Sequence, residues 1–375
     1  MQSSVLMAKG GKRKASAAPE RSGIDGRWLP VAVGVVAVGV ALALMLGRER
    51  QQFAQGSGTQ CQSRFYPVPS VVGIPRVPAD DFDIGNWDGC DPVIIEGALD
   101  RWPARRKWTK DYLAETYAKV RVQVVGMHNG KKDGLAMPLS LFAEHSNEGS
   151  VGSWAYLQDE EFLPAHPELY SDLEPWLLGE DYYQVLPSVL RPDNAFFLWG
   201  APHSRSTLHV DPYNWTGSNA VIFGRKSWRL FPPGQDGRLN ASLGECGFPL
   251  SCWQARSPID AFAQPPIDGN IALFEGVARA GDMLLIPSGW FHQAFNDAET
   301  LAVASQVWHD QNFETIWESI VGFPGNVDAS RLHTRAAINN QQRVEALVRA
   351  IPQRVYQKAE RHRAEKVKTT QAINS

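Results

Sequence analysis

The chain is expected to fold as a mainly β protein, a sandwich or barrel with flanking helices, preceded by one membrane-spanning helix. Three observations carry that expectation. From residue 194 onward, short apolar runs (NAFFLWG, STLHVD, SNAVIFG, KSWRLFPP, DMLLIPS, WFHQAFN, LAVASQVWH) follow one another, separated by Gly, Pro, Asn and Asp, which is the rhythm of a sandwich or barrel. Thirteen Trp and 25 Pro in 375 residues suit a β-rich fold with ordered loops better than a helical bundle. Residues 28–47, WLPVAVGVVAVGVALALMLG, carry no charge over about the 20 residues a helix needs to cross a bilayer.

Taken in order, residues 1–27 are polar and basic and read as disordered. Residues 28–47 read as a transmembrane signal anchor. The alternatives are a cleaved signal peptide, for which the apolar run is long, and a buried core helix, for which it lacks a polar face. Lys9, Lys12, Arg13, Lys14, Arg21 and Arg27 precede the span and Arg48 and Arg50 follow it. The positive-inside rule then leaves the N-terminus cytosolic and the rest lumenal. That is a single-pass type II arrangement, with the endoplasmic reticulum or Golgi lumen as the expected compartment. Residues 48–65 read as a Gln/Gly/Ser-rich linker, residues 66–325 as the folded domain, and residues 326–375 as a C-terminal helical extension and tail.

Within the domain, 91–125 reads as strand, turn, helix, strand, with Thr109 capping the helix. Residues 137–146 read as a short helix, 155–190 as loop-rich, and 234–278 as a long insertion, a lid or ordered loop. Helices are expected at 313–321 and 335–366, the latter broken at Pro352. Val344, Leu347, Val348, Ile351 and Val355 recur there at helical spacing, for packing on the same barrel or for a homodimer contact.

The net charge of −3, with 43% hydrophobic and 21% charged residues, gives no reason to expect a nucleic-acid partner. All four Cys (61, 90, 246 and 252) lie beyond the apolar span. Cys246 could pair with Cys252 and Cys61 with Cys90, although three connectivities exist and four free thiols are the alternative. No CxxC occurs, which argues against a structural zinc site. Two sequons are present, at Asn214 and Asn240.

His209 and Asp211 in STLHVDPYNW sit two apart, so a strand points both to one face while Leu208 and Val210 face the other way. His292 in IPSGWFHQAFN is the third candidate ligand. Two histidines and one carboxylate hold non-haem Fe(II) and leave positions open. His145, His203 and His309 read as surface or hydrogen-bonding histidines, and Trp228 and Trp290 as packing. Tyr182, Tyr183 and Trp199 are candidates to line a substrate cleft.

Three blocks carry a family resemblance: PVIIEGALDRWPA, STLHVDPYNWTGSNAVIFGRKSWRLFPP and ARAGDMLLIPSGWFHQAFN. Over roughly residues 66–325 the sequence resembles the JmjC and cupin-like 2-oxoglutarate-dependent oxygenases, nearest the branch of the phosphatidylserine-receptor-like lysyl hydroxylase. The resemblance implies a double-stranded β-helix (jelly-roll or cupin) and Fe(II) on His209, Asp211 and His292. It implies that 2-oxoglutarate is held by Lys226, whose compact charge suits a buried carboxylate, with Asn219 and Ser206. No catalytic residue is expected beyond these ligands. The implied reaction converts 2-oxoglutarate and O2 to succinate and CO2 and hydroxylates or demethylates a protein side chain. Ala304 and Gln306 depart from the Thr and Asn common in the nearest branch. A catalytically silent, membrane-tethered cupin-like binding module, and a zinc or manganese cupin without oxygen chemistry, are the alternatives.

Overall fold

The computed structural model describes residues 61, 64–176, 178–193, 195–247, 249–263, 269–332 and 339–374. The basic N-terminus, the apolar segment 28–47 and nearly all of the linker lie outside the described residues. Among the described residues no helix is long and apolar enough to cross a membrane.

Among the described residues sixteen strands form two sheets. In chain order they are β1 Ser70–Gly73, β2 Arg76–Pro78, β3 Val93–Glu96, β4 Arg121–His128, β5 Lys131–Pro138, β6 Ser153–Asp159, β7 Phe196–Gly200 and β8 Leu208–His209. Then follow β9 Thr216–Phe223, β10 Arg225–Phe231, β11 Ser242–Glu245, β12 Trp253–Ser257, β13 Ala272–Arg279, β14 Met283–Ile286, β15 Phe291–Asn296 and β16 Thr300–Val307. One sheet runs β1-β13-β10-β15-β8-β12-β11, the other β2-β3-β14-β9-β16-β7-β6-β4-β5. Trp228, Leu230, Phe274 and Ala294 of the first share a buried cluster with Ile94, Val221, Leu284 and Ile286 of the second, so the sheets pack face to face.

Each strand's alternation decides which core it feeds. On β9, Val221 turns into the space between the sheets, while Ala220 and Ile222 turn outward. Outside the nine-stranded sheet they meet α1 (Lys110–Thr116) and α2 (Leu139–His145) in a core rich in Trp102, Trp108, Phe142 and Trp199. Thr109 caps α1 as expected, its hydroxyl accepting from the Tyr112 N–H at 3.1 Å.

The C-terminal segment forms α4 (Asn340–Ala350) and α5 (Gln353–Asn374), which follow α3 (Phe313–Val321). The break falls at Pro352, whose ring keeps Ile351 extended at ψ 122°. The second helix runs past residue 366 to Asn374. Val344, Leu347, Ile351 and Val355 are buried, and Val348 partly so, against Trp308, Phe313, Ile316 and Ile320 of the same chain. Each such burial contributes about 1.5–3 kcal/mol. Intrachain packing therefore accounts for their spacing.

Two readings need correction. The stretch read as loop from 155 begins inside β6, where Trp154, Tyr156 and Gln158 alternate with Ala155 and Leu157. The insertion 234–278 holds a hairpin, β11–β12, and most of β13, which pairs with both β10 and β1. Disulfides join Cys61 to Cys90 and Cys246 to Cys252; the second closes the end of the hairpin.

Candidate metal centre

Strand β8 is two residues long and lies between β15 and β12, with His209 opposite His292 on one side and Arg256 on the other. Leu208 and Val210 face outward into a cluster with Phe231 and Phe291. His209 therefore faces inward, as the alternation predicts. Asp211 follows, and the chain turns sharply through Tyr213 and Asn214, both left-handed at φ 56° and 53°. Non-glycine residues in that region cost about 1–3 kcal/mol each and persist where the surroundings impose them. Here Tyr213 imposes it: its hydroxyl donates to the Leu250 carbonyl and accepts from the Leu250 N–H at 3.1 Å.

The Nε2 atoms of His209 and His292 each lie 3.5 Å from Asp211 Oδ1. The three ligand atoms fall within 4.8 Å of one another. His209 Nδ1 is 2.8 Å from the Thr207 carbonyl and His292 Nδ1 is 3.1 Å from the Trp290 carbonyl. A carbonyl only accepts, so each Nδ1 carries a proton and Nε2 is the nitrogen each ring offers to a metal. Burial alone would raise the Asp211 carboxyl, but the two imidazoles hold it far below the carboxylate range. Burial lowers His292, and Asp211 more than reverses that, leaving it raised.

Glycines make room for this packing at two points. A Cβ at Gly217 would stand 2.4 Å from Asp211 Oδ2, and one at Gly200 would stand 2.0 Å from Asn296 Nδ2.

Deeper in the same interior, Lys226 is fully buried at 0% exposure. Its ammonium donates to the Tyr156 hydroxyl at 2.9 Å and lies 5.5 Å and 5.9 Å from the Tyr156 and Trp228 rings. It makes no ion pair with a carboxylate among the described residues. Asn296 lies opposite Lys226 in the register. Among the described residues, the buried atoms Asn219 Oδ1, Asn296 Oδ1, Trp228 Nε1 and Gln306 Oε1 find no hydrogen-bond partner. Rotating the last bond of Asn219 would present an NH2 group instead, whereas Asn296 Nδ2 already donates to the Ser204 hydroxyl at 2.8 Å. A buried cation without a counter-charge among the described residues, with the Trp228 ring and Asn296 beside it, is the environment an anionic ligand would complete. The two-histidine, one-carboxylate donor set likewise fits Fe(II).

His209, Asp211 and His292 thus converge, with Lys226 and Asn219 in the same interior. The Ser206 hydroxyl accepts from the Ala294 N–H at 3.0 Å, which leaves its own proton to donate. Ala304 lies opposite Asn219 and Gln306 opposite Gly217, and Gln306 Nε2 donates to the Asp193 carbonyl. Trp290 packs as expected, its Nε1 donating to the Cys90 carbonyl at 3.0 Å. Trp199 does not line the cleft: it points outward and donates to Glu299 at 3.0 Å. Tyr182 packs on Trp308 and Phe313 with its hydroxyl on Asp310. Tyr183 is buried beside Trp215 and Trp308. His309 hydrogen-bonds Thr216 at 3.0 Å, and His145 pairs with Glu148.

Tyr156 and Asn296 were missed, and Trp228, read as packing, also faces the ammonium. The alternation in SWAYLQD was the signal for the first. A second carboxylate group, Glu160, Glu161 and Asp193, is bridged by the single ammonium of Lys366 at 3.2, 3.0 and 2.9 Å.

A two-sheet barrel that presents two histidines and an aspartate from its interior, with a buried lysine beyond them, defines a cupin-type metal protein. The chain belongs to the cupin-like domain family, whose model matches residues 89–315, and to its JmjC group. It is 27% identical over 278 residues to the arginine-specific demethylase JMJ22 of Arabidopsis thaliana, covering 71% of this chain and 53% of that protein. It is 25% identical over 243 residues to the bifunctional arginine demethylase and lysyl-hydroxylase psr-1 of Caenorhabditis elegans, covering 61% and 58%. It is 27% identical over 246 residues to the 2-oxoglutarate and iron-dependent oxygenase JMJD4 of Gallus gallus, covering 60% and 56%. The chain thus spans little more than half the length of these relatives.

Proposed function

We propose that the protein is an Fe(II)- and 2-oxoglutarate-dependent oxygenase that hydroxylates a protein side chain, or demethylates one where the carbon attacked is an N-methyl. One observation carries the reading: three ligand atoms, two imidazole nitrogens and a carboxylate oxygen, converge at one end of an interior whose other end holds an ammonium without a counter-charge among the described residues. When bound, the iron and co-substrate supply the oxidising chemistry. The chain supplies the rest. His209, Asp211 and His292 hold the metal, and the backbone carbonyls of Thr207 and Trp290 fix the imidazoles. Lys226 and Tyr156 bind the distal carboxylate, Asn219 and Ser206 orient the co-substrate, and the apolar walls exclude water. The activities for which the relatives above are named support this reading.

We further propose that the barrel is lumenal, behind the 28–47 span, where it would meet secretory cargo rather than chromatin. The two disulfides support that, since disulfides persist in oxidising compartments. Fe(II)-dependent succinate formation from 2-oxoglutarate tests the activity, and His209→Ala should abolish it together with iron binding. Turnover at the parental rate in His209→Ala would overturn the assignment. Protease protection of intact microsomes tests the side: digestion of the barrel without detergent would place it in the cytosol.

A further inference from the structure

The register of the seven-stranded sheet sets five residues in one row across its strands: Leu230, His292, His209, Arg256 and Ser242. Residues opposed in antiparallel strands share a face, with Cα atoms about 4.5–5.5 Å apart. Arg256 therefore stands immediately beside His209, on the side to which the metal-binding imidazoles point. Beyond it only Ser242 on β11 remains, and β11 is the end of the sheet, with all four residues exposed. The row thus leads from the metal ligands to open solvent, past one cation.

The state of that cation is distinctive. Gln254, two residues away on the same face, is 6% exposed, and its Oε1 accepts from Arg256 Nε at 2.9 Å and Nη2 at 2.7 Å. The guanidinium is oriented by a neutral amide, and among the described residues its Nη1 makes no hydrogen bond. Arg225 and Arg229 on the same sheet instead pair with Asp297 and Glu275. Arg256 itself is exposed and has no ion-pair partner among the described residues. The hairpin that carries it is fastened at several points. The Cys246–Cys252 disulfide closes its end. Asn326 clamps Ser251 by bonds of 3.1 and 2.7 Å, and Tyr213, of the metal-binding turn, holds Leu250. Arg256 is remote from the co-substrate end, because Lys226 lies four residues down β10 from the row, about 13 Å away at strand rise.

We propose that Arg256 is a specificity-determining residue that reads an acidic side chain flanking the target residue of a protein substrate. The inference rests on the oxygenase reading above. At about 3.3 Å per extended residue, the guanidinium reaches a carboxylate one to three positions from a side chain inserted toward the metal. Gln254 is the positioning residue that holds it there.

Direct binding of peptides tests this separately from turnover. The probes are three fluorescein-labelled degenerate peptide pools, each with a central Lys, flanked on both sides by Asp/Glu, by Ala/Ser, or by Lys/Arg. Anisotropy is read with the full chain. The acidic pool should bind about two- to fivefold more tightly than the neutral pool, the size of an exposed charge pair, and the margin should narrow as salt rises. Arg256→Gln should erase the margin, Arg256→Lys should retain part of it, and Arg256→Glu should turn it toward the basic pool. Equal binding of acidic and neutral pools by the parent protein overturns the inference, as does an undiminished margin in Arg256→Gln. Turnover of 2-oxoglutarate by the parent protein is measured alongside. Its absence would overturn the oxygenase reading, while the pool comparison still decides the role of Arg256.

Discussion

Adding one methyl group at Gly217 should disable the metal centre without touching a ligand. The new Cβ would stand 2.4 Å from Asp211 Oδ2 and 3.6 Å from the Ile286 Cβ. The first distance is about 1 Å inside van der Waals contact, so either strand or carboxylate must move. Strand β9 has little freedom, because Gly217 lies between Ile286 of β14 and Gln306 of β16. The carboxylate has to turn away, and Tyr213 and Leu250 fix the backbone behind it. A displacement near 1 Å at a reacting centre costs about 100-fold in rate, and disturbing the support of a ligand costs about 10–100-fold in metal affinity. Calorimetric titration with Mn(II), a redox-stable stand-in, should therefore find Gly217→Ala weaker by one to two orders of magnitude in affinity. Gly244→Ala, whose Cβ would meet no atom within 4 Å, is the control and should bind as the parent does. Parental Mn(II) affinity in a folded Gly217→Ala protein would refute the placement of Asp211.

Lys226→Met should lower 2-oxoglutarate affinity by about two to three orders of magnitude, the loss expected when a buried charge loses its partner, with Mn(II) titration unchanged. Tyr156→Phe should cost about one to two orders of magnitude, one hydrogen bond to a charged group. Lys366→Met leaves three clustered carboxylates without their cation and should destabilise the fold by about 1–3 kcal/mol, read by thermal melting. Truncation after residue 334 should lower the melting temperature further, and an unchanged mass on sizing would assign the C-terminal helices to intrachain packing alone. In a secreted or lumenal preparation, Asn240, exposed ahead of β11, should carry glycan, whereas Asn214 inside the metal-binding turn should not; glycan mapped to Asn214 by mass spectrometry would contradict that.

Legibility followed the range of each interaction. His209 and Asp211 were readable because strand parity is a two-residue property, and Thr109 because a cap is a four-residue one. His292 was a candidate from its turn and strand, but only register puts it opposite His209. Tyr156 was lost because β6 lies between β4 and β7, partners about 30 residues before and 40 after it, and the polar loops after it masked its alternation. β13 was lost because Glu275 and Gly276 interrupt its apolar pattern, and Gly276 is glycine since a Cβ would crowd Ile74 and Ile94 at 3.1–3.2 Å. The row that brings Arg256 beside His209 joins residues 47 apart in sequence, with nothing local to announce it.

Lys226 also bears on whether the barrel is an oxygenase or a silent binding module. Removing an ammonium from water costs several kcal/mol even after relaxation. Here one hydroxyl and two ring faces offset it, the rings by about 0.5–2 kcal/mol each. The interior is left in deficit until an anion arrives, and the left-handed turn at Tyr213 and Asn214 adds strain beside the metal ligands. A module without a co-substrate gains nothing from either feature, since a methionine at 226 would fill similar space without a charge. If the deficit exists for a ligand, Lys226→Met should melt higher than the parent in the absence of 2-oxoglutarate. The order should reverse once the parent is saturated, because ligand at 100 times its dissociation constant stabilises by about 2.7 kcal/mol. A parent that gains no stability from 2-oxoglutarate with metal present would instead fit the silent module. The crossing of the two melting curves measures, in one protein, the stability this fold gives up for binding.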